Sequence, residues 1–535
     1  MLLSKWKITN FFIAIIFFSF ILTGLLVYKD YGICIDEPAE RLTDIVNYRW
    51  LNRFLFDRGV FVDVGTEDLE NFTDKYYGVA IRFPLILLED IYQIITHQQL
   101  SGRSIYHIRH LYTYFIYILA LYFYYRLLLN LFRSRLLGIT GVLMIYSFGR
   151  FFAHSFYNIK DMIFMSLFTI SLFLAGKVIS TEYDKKWCIL FTIAAAVTVN
   201  SRIVGALLPI FILLIPFINL LLHHKKLPLS SMGIICLSYP LWLLIFPASW
   251  KDPIRFSLNC VYAFSDFSHI EGANLYGGKL VPNDVAPVDY FLRWIGLTVP
   301  LIYLIFIIFG FIVFLFFFIR KDKFILINKS FYLIIISIFS IVILYQMIKR
   351  PTVYNGWRHV FFLYPIMIIF SIFGINFIIK KFSPKISKII ITILALAIVN
   401  NILMIIKNHP YEYVSYNIIG QSMAKDYDAD YWGLSIYQHF LWVANHNSEA
   451  KSVTGYLAHR GYIKANYQML TDQQQNIVRI PSVDTDYLIV WTSMPMDYYW
   501  KHSDTGQYYT LDGYEEVYSI YSNGVKLSAL YQKID

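Results

Sequence analysis

Long apolar runs recur along most of the sequence, separated by short polar connections. A helical run of roughly 20 residues spans a hydrocarbon core about 30 Å thick. Because open sheets cannot satisfy their backbone polar groups in lipid, the pattern predicts a polytopic α-helical membrane protein with one bundle of about eleven spans. The predicted runs lie at 8–28, 106–125, 137–153, 162–178, 187–199 (short enough to be partly re-entrant), 203–222, 231–249, 294–319, 330–348, 358–379 and 387–406.

The polar connections predict which way the bundle faces. Every short connection on one side of the bundle is basic, and by the positive-inside rule this side is cytoplasmic. The basic residues in these connections are Arg126, Arg133, Arg135, Lys177, Lys185, Lys186, Lys225, Lys226, Arg320, Lys321, Lys323, Lys380, Lys381 and Lys385. The first run follows a basic start without a small-residue cleavage site, which predicts a retained span and a cytoplasmic N-terminus.

The segments on the other side are long, irregular and on balance acidic, at 29–105, 250–293 and after 406. This asymmetry predicts that the working surface faces outward. Within the first outer loop, 39–56 has polar and apolar residues at helical spacing and predicts an amphipathic helix along the membrane interface. Residues 81–96 are similar but more apolar.

The tail has the composition of a soluble domain. The sequence therefore predicts two parts, a membrane domain at 1–406 and a small outer α/β domain at 407–535. Within the tail, 431–446 predicts a helix and 487–492 a buried strand. The pairing of 516–521 with 525–531 around Asn523-Gly524 predicts a β-hairpin, because Asn-Gly favours the tight turn that joins paired strands.

The composition agrees with a membrane protein: 57% of the 535 residues are hydrophobic and 15% are charged. Soluble domains carry about a quarter charged residues. The net charge of +10 would suit nucleic acid, but the basic residues lie in the short connections and are an orientation signal. Cys34 and Cys260 both fall on the outer side and could form a disulfide, although isolated thiols in an apolar protein usually stay free.

Two outer boundaries carry carboxylates. Asp36 and Glu37 follow the first run, with Pro38 suited to the first turn of the next helix. The alternative is that an acidic residue at this position has no role beyond its favourable interaction with the helix dipole. The segment 154–161 contains His154 and ends in Lys160 and Asp161, at a depth where an unpaired charge is costly. The alternative is a lysine reaching for headgroups beside a helix-capping Asp.

Basic residues occupy two further outer boundaries: Arg202 follows one span, and Arg358 and His359 begin another. Contact with lipid headgroups would explain any one of these residues by itself. Together with the carboxylates they converge on one face, where cations suit a phosphate and an arginine can bind it bidentately. A carboxylate suits a general base, and a leaving phosphate needs charge stabilisation instead of a proton donor.

The ordered set resembles the GT-C superfamily of glycosyltransferases, in particular the protein mannosyltransferase and lipid A aminoarabinose transferase branch. The segments at 354–365 and 409–417 are similar to segments of bacterial members, as is the run from Asp428 to Trp432. The resemblance covers 8–432 in order and spacing. It implies a polyprenyl- or dolichyl-phosphate sugar donor, inverting transfer and catalysis on the non-cytoplasmic side.

The resemblance also implies roles for individual residues. Asp36 would be the general base, supported by Glu37 and Asp161. The residues expected to bind the carrier phosphate or the substrate are Lys160, Arg202, Arg358, His359 and His154. The carboxylates could also hold a divalent cation, but Lys160 and Arg202 can neutralise a phosphate without one, so metal dependence stays open.

The expected partners are the lipid-linked donor, the bilayer and an acceptor, with no nucleic acid. An envelope glycan such as lipopolysaccharide or O-antigen in a bacterial inner membrane is the first expectation. Another glycan, a lipid or a protein stays open as the acceptor.

Three other classes of protein stay open. A transporter or flippase would have charged residues within the spans and internal pseudo-symmetry, and the runs suggest neither. A polysaccharide polymerase or ligase usually has its largest outer loop late in the bundle. If the protein were structural or sensory, the convergence of charged residues on one face would be a coincidence.

Overall fold

The structure is a computed structural model that describes residues 2–56, 68–265, 272–320, 328–455, 460–481, 485–491, 511 and 513–534. The helices of the first half are α1 (Leu2–Val27), α2 (Asp36–Phe56), α3 (Phe83–Thr96), α4 (Gly102–Phe132), α5 (Arg135–Tyr146), α6 (Gly149–Tyr157), α7 (Asp161–Ser180), α8 (Lys185–Ser201), α9 (Leu207–His223), α10 (Leu229–Cys236), α11 (Ser238–Leu244) and α12 (Pro253–Ser265).

The second half continues with helices and with all the strands. Its helices are α13 (Tyr290–Thr298), α14 (Leu301–Ile319), α15 (Lys329–Lys349), α16 (Tyr364–Lys381), α17 (Pro384–Asn408), α18 (Ile418–Gln421), α19 (Ser435–His446), α20 (Arg460–Tyr467) and α21 (Asp472–Ile477). Short 3₁₀ helices lie at Ile203–Ala206, Pro247–Ser249, Arg358–Leu363, Glu412–Val414 and Ala424–Asp426.

The chain is a polytopic α-helical membrane protein. Within the described residues, eight helices are long and apolar enough to cross a membrane, and α5 with α6 makes a ninth if this pair, bent by 69°, is one span. The prediction of about eleven is higher because it counted two shorter runs. The run at 187–199 folds as α8, which has 17 residues, and the run at 231–249 folds as the broken helix α10–α11. The orientation of the bundle stays a prediction.

Close packing between spans depends on small residues. Helices α14 and α16 approach at Gly310 and Gly374, where a Cβ on Gly310 would overlap the carbonyl oxygen of Phe370. Helix interfaces in lipid favour such residues because backbones can then come into van der Waals contact. Tyr124 of α4 adds a polar contact by donating a hydrogen bond to the carbonyl oxygen of Pro365 at 2.8 Å.

Helices α2 and α3 confirm the two helices predicted after the first span, but α2 buries its charged face. Glu40, Asp44 and Arg49 are buried, whereas Phe54 and Phe56 near the end of the helix are exposed. Buried carboxylates need cationic partners, because an unpaired charge away from water is strongly disfavoured. The charged face of α2 is therefore directed at the protein, and its partners form the site described below.

The C-terminal part contains a five-stranded mixed sheet with the strand order β4-β3-β5-β7-β6. A separate hairpin, β1 (Ala273–Tyr276) with β2 (Lys279–Pro282), lies before α13. The strands of the larger sheet are β3 (Lys451–Gly455), β4 (Val478–Arg479), β5 (Tyr487–Trp491), β6 (Tyr514–Ser522) and β7 (Val525–Lys533).

The predicted C-terminal hairpin is confirmed. β6 and β7 pair antiparallel, and Asn523 and Gly524 between them both have positive φ angles, of 49° and 77°. Two positive φ angles define the tight turn that matches strand twist. The predicted strand at 487–492 is confirmed as β5 up to Trp491, and Thr492 lies outside the described residues.

The predicted helix at 431–446 begins later, at Ser435. The reason is Asp430, whose carboxylate accepts hydrogen bonds from the backbone amides of Gly433, Leu434 and Ser435. These bonds satisfy amide groups that the first turn of a helix leaves free. The division into domains at residue 406 stays a prediction, since α17 continues to Asn408.

The four cysteines are free thiols, so the structure has no Cys34–Cys260 disulfide. Cys34 and Cys260 are both buried, and the Sγ of Cys34 lies 3.6 Å from the carbonyl oxygen of Tyr157.

Candidate active site

Helix α2 begins at Asp36, and the chain leading into it is held by the C-terminal part. The side-chain amide of Asn466, on α20, accepts a hydrogen bond from the Ile33 amide at 2.9 Å and donates one to the Ile33 carbonyl at 3.0 Å. Gly32 permits this contact, because a Cβ there would meet Oδ1 of Asn466. Asn466 thus anchors the backbone three residues before Asp36.

The carboxylates of α2 form a row. Asp36, Glu40 and Asp44 follow one another at intervals of four residues, which places them on one helix face. Asp44 is fully buried and accepts hydrogen bonds from Arg82 at 2.7 Å and from Arg109 at 2.8 Å. Asp36 is the most accessible of the three, with 27% of its side chain exposed.

Glu37 lies apart from this row. One of its oxygens accepts a hydrogen bond from the Cys34 amide at 2.9 Å, and the other lies 3.0 Å from Nε2 of His110. Glu37 is 1% exposed. Its contacts hold the first turn of α2 against α4.

Asp161, at the start of α7, joins two arginines. Its carboxylate forms an ion pair with Arg202 through one oxygen, and it accepts a hydrogen bond from Nη1 of Arg358 at 3.0 Å through the other. Asn158 fixes its position by accepting from the Asp161 amide at 2.9 Å and donating to its carboxylate at 3.1 Å. His154 is buried, and its Nδ1 lies 3.0 Å from the side-chain nitrogen of Asn158.

Arg358 connects the two acidic segments. The same Nη1 that contacts Asp161 donates to Asp36 at 2.9 Å, and Arg358 is 2% exposed. The guanidinium carbon lies 4.6 Å from the ring centroid of Tyr354 and 4.8 Å from that of Trp432. A buried guanidinium gains both from carboxylates and from aromatic faces. The C-terminal part therefore contributes a ring to the site.

Lys160 pairs with Glu40 at 2.7 Å, and its Nζ lies 3.5 Å from the ring centroid of Tyr77. Burial by itself would raise the pKa of Glu40, but the charges of Arg82 and Lys160 outweigh it and lower this pKa to about 2. Burial would lower the pKa of Lys160, yet Glu40 raises it. Both groups are therefore ionised at neutral pH, and the pair is a fixed element of charge in the site.

The cations border a cavity of about 190 Å³, here called the cationic cavity. The basic residues of its lining, here called its polar end, are Lys160, Arg202, Arg358 and His359, and Asp161 holds the two arginines together. Its remaining walls are largely apolar, and its residues include Tyr77, Ile203, Val204, Phe291, Val342, Tyr354, Val360 and Phe362. Among the described residues, Nε of Arg202, Nε of Arg358 and Nδ1 of His359 have no hydrogen-bond partner. The two arginine nitrogens are donors available to a ligand, and Nδ1 of His359 donates or accepts according to its tautomer.

The structure brings most of the predicted site residues together. Lys160, Arg202, Arg358 and His359 line the cationic cavity, and Asp36 and Asp161 pair with its arginines. Glu37 and His154 contact neighbours of these groups and do not line the cavity.

Several residues of the site were missing from the sequence prediction. Glu40 and Asp44 could have been found from their four-residue spacing after Asp36. Arg109 and His110 lie within the span α4, which corrects the expectation of spans without charged residues. They are accommodated there because Asp44 and Glu37 pair with them. Tyr77, Tyr354 and Trp432 give no local signal, since only the fold places their rings beside cations.

The sequence leaves open whether the site holds a divalent cation. No group of three or more His, Cys, Asp or Glu side chains suited to hold a metal ion occurs within the part of the chain that the structure describes.

The fold and the site together define a multi-pass membrane protein with a buried charge cluster opening into an amphipathic cavity. In comparisons with known proteins, no family model and no curated protein matches the sequence. The chain is similar to the crystal structure of ArnT from Cupriavidus metallidurans bound to undecaprenyl phosphate, with 11% identity, a TM-score of 0.44 and 97% of each chain covered.

The apo state of the same ArnT is similar as well, with 11% identity and a TM-score of 0.43. That alignment covers 99% of this chain and 98% of the other.

Proposed function

We propose that this protein is a membrane glycosyltransferase that takes a sugar from a polyprenyl-phosphate carrier. The carrier phosphate binds at the polar end of the cationic cavity, and its apolar chain follows the apolar walls. The acceptor hydroxyl attacks the anomeric carbon and its proton passes to Asp36. The bond from the sugar to the phosphate oxygen breaks, and the polyprenyl phosphate leaves with the electron pair.

The observation that carries the proposal is the composition of the cationic cavity. Lys160, Arg202 and Arg358 line it together with apolar residues such as Val204 and Val342. A phosphate joined to a hydrocarbon chain needs both kinds of surface. The free Nε donors of the two arginines suit phosphate oxygens, because charge-assisted hydrogen bonds are among the strongest that a protein can offer.

Asp36 is the best candidate for the base because it differs from the other carboxylates in accessibility. Asp161 is 1% exposed and holds two arginines, and Glu40 is 4% exposed and holds Lys160 and Arg82. Asp36 is 27% exposed and accepts a hydrogen bond from Arg358. A base must reach the hydroxyl that it deprotonates. Asp161 and Glu40 are better suited to keep the cations in place.

The proposed acceptor is an envelope glycan such as lipopolysaccharide or O-antigen, on the non-cytoplasmic face of a bacterial inner membrane. The C-terminal part supports a site on its own side of the bundle, since Trp432 contacts Arg358 and Asn466 holds Ile33. If the positive-inside prediction holds, this side is the periplasmic one.

The test compares envelope glycans and glycolipids by mass spectrometry from cells with the wild-type protein, without the protein and with Asp36→Asn. A sugar-sized mass increase present only with the wild type is expected. Transfer by Asp36→Asn should fall by about 10²–10⁴-fold, the usual contribution of a general base. Asp289→Asn, a surface carboxylate paired with Arg293, is the matched control and should retain full activity.

Normal transfer by Asp36→Asn would remove Asp36 as the base. Identical glycan profiles in all strains would argue against an envelope-glycan acceptor, and secreted proteins would then be compared in the same way. If the profiles of secreted proteins are identical in all strains as well, the proposed transferase activity is overturned.

A further inference from the structure

A second cavity, of about 630 Å³, lies elsewhere in the bundle and shares no lining residue with the cationic cavity. It is here called the amide cavity. Its walls come from α17, the start of α14, the junction of α5 with α6 and the segment 412–421. The proposed transfer reaction uses none of these residues.

The amide cavity contains a buried carboxylate with one free oxygen. Glu412 is 1% exposed, and its Oε1 accepts a hydrogen bond from Tyr31 and lies 3.2 Å from Nδ1 of His409. Its Oε2 has no partner among the described residues, and neither has Oγ of Ser415, which also lines the cavity. Leaving buried polar atoms without partners is costly, so these two oxygens are suited to hydrogen bonds from a ligand.

Glu412 already has a cationic partner inside the protein. His409 lies between two carboxylates, with Nε2 at 3.0 Å from Asp30 and Nδ1 at 3.2 Å from Glu412. Burial alone would lower the pKa of His409, but hydrogen bonds to Asp30 and Glu412 raise it to about 9. The imidazolium is therefore positively charged at neutral pH and is shared by Glu412 and the more exposed Asp30. With this cation already beside Glu412, a neutral donor such as a hydroxyl suits the free oxygen.

The rest of the described lining has no cationic side chain and includes apolar side chains exposed on the surface of the bundle. No Lys, Arg or His occurs among the described lining residues, which disfavours an anionic headgroup. Asn400 and Gln421 supply amides, and Leu396 and Ile418 are apolar side chains that are largely exposed on the outside of the bundle. An exposed asparagine within a membrane span is costly in hydrocarbon and marks a polar partner.

We propose that the amide cavity binds a membrane lipid with a neutral, hydroxyl-rich headgroup, such as a glycosyl diacylglycerol. Ligand hydroxyls donate to Oε2 of Glu412 and contact Oγ of Ser415, and the amides of Asn400 and Gln421 face the same headgroup. The acyl chains lie along the apolar side of α17. This inference does not rest on the proposed transferase reaction, since the two cavities are separate.

Native mass spectrometry of the full chain, in a detergent without a sugar headgroup, tests this site. The probe is diglucosyl dioleoylglycerol, offered together with dioleoyl phosphatidylethanolamine and dioleoyl phosphatidylglycerol. The wild type should retain the glycolipid in preference to both phospholipids. Free maltose should not displace it, because the apolar wall contributes to binding.

Ala397→Trp fills the cavity from α17 without removing a polar group, and retention of the glycolipid should fall about tenfold or more. Leu403→Trp, an exposed position on the same helix outside the cavity, is the matched control and should retain the lipid like the wild type. Glu412→Gln should weaken retention as well, but its contact with Tyr31 could alter folding, so the decision rests on Ala397→Trp.

Equal retention of the glycolipid by the wild type and Ala397→Trp would overturn the site. Preferential retention of phosphatidylethanolamine would contradict a hydroxyl-rich headgroup and favour a headgroup with an amine. Displacement of the glycolipid by maltose would contradict the assignment of the ligand as a lipid. Retention of a polyprenyl phosphate, measured alongside, should be unchanged in Ala397→Trp. A failure of the proposed function, seen in polyprenyl phosphate retention, is thereby distinguishable from a failure of the glycolipid site.

Discussion

The two cavities of this protein are built alike and charged differently. The described lining of the cationic cavity precedes α16, whereas that of the amide cavity includes residues that follow α17, and each cavity combines apolar walls with polar side chains. The cationic cavity has Lys160, Arg202 and Arg358, whose charges are held by carboxylates that remain outside its lining. The amide cavity has Glu412 inside its lining and the compensating His409 behind it.

This difference indicates what each cavity selects. In the first, the groups that face the ligand are cationic donors, so a phosphate is favoured. In the second, the facing groups are a carboxylate oxygen, a hydroxyl and amides, so neutral hydroxyl donors are favoured. The sign of the charge nearest to the ligand matters more than the total charge of the cluster, because Coulomb energy falls with distance and is strongest where water is excluded.

The largest expected effect on lipid retention comes from a change in the cationic cavity alone. Arg358→Lys keeps the charge but loses the planar guanidinium, whose Nη1 contacts Asp36 and Asp161 while Nε stays free for a phosphate. Retention of a polyprenyl phosphate should therefore fall about tenfold to a hundredfold. Native mass spectrometry with both lipids checks this, and glycolipid retention should not change. Arg293→Lys, on the surface, is the control. Unchanged phosphate retention in Arg358→Lys would contradict the assignment of the cavity.

The next effect concerns the support of the cationic cavity by the C-terminal part. Asn466→Asp keeps the acceptor for the Ile33 amide but loses the donor to its carbonyl, so Asp36 should be less well positioned. A drop in kcat of about tenfold, with KM for the donor nearly constant, is expected for a positioning residue. Asn447→Asp, at the end of α19, is the control. A change confined to KM would point to substrate binding instead.

The pH dependence of protein stability tests the ion pair between His409 and Glu412 at the amide cavity. The folded-state pKa of His409 is raised from 6.5 to about 9, so its stabilising contribution is complete below pH 6.5 and is lost between 6.5 and 9. His409→Gln should therefore be less stable than the wild type at pH 6, by about 1–3 kcal/mol, and nearly equal above pH 9. Thermal unfolding in detergent across this range measures it. A difference that does not depend on pH would exclude the ion pair as the cause.

The smallest effect tests a single hydroxyl. Ser415→Ala removes one unpaired donor and acceptor from the amide cavity, so retention of the diglucosyl lipid should fall about threefold. Stability and phosphate retention should not change. Ser422→Ala, an exposed serine whose hydroxyl donates to the Ile419 carbonyl, is the matched control. Stronger retention by Ser415→Ala would mean that this hydroxyl opposes binding.

Much of the architecture could be predicted because its signals are local. Apolar runs predict spans, and the Asn523-Gly524 pair predicts the hairpin, since both depend on neighbouring residues. The site was predicted in part for a related reason. A charge such as Lys160 or Arg358 at the end of an apolar run is costly enough to stand out in the sequence.

The prediction was weaker where the signal was short or ambiguous. The runs at 187–199 and 231–249 resemble spans in composition but fold as helices of 17 residues or fewer. In α2, the mixture of charged and apolar residues predicted an amphipathic helix but not that the charged face is the buried one. Which side faces the protein depends on Arg82 and Arg109, which lie in other elements.

The sequence by itself therefore determined the class of protein, most of its helices and a set of charges at their ends. Only the tertiary structure decided which residues of the chain contact one another in the site. Asp36 meets Arg358 across 322 positions of the chain, and Asn466 meets Ile33 across 433. The physical reason is that periodicity and hydropathy are properties of neighbouring residues, whereas ion pairs and cavities depend on packing between distant segments.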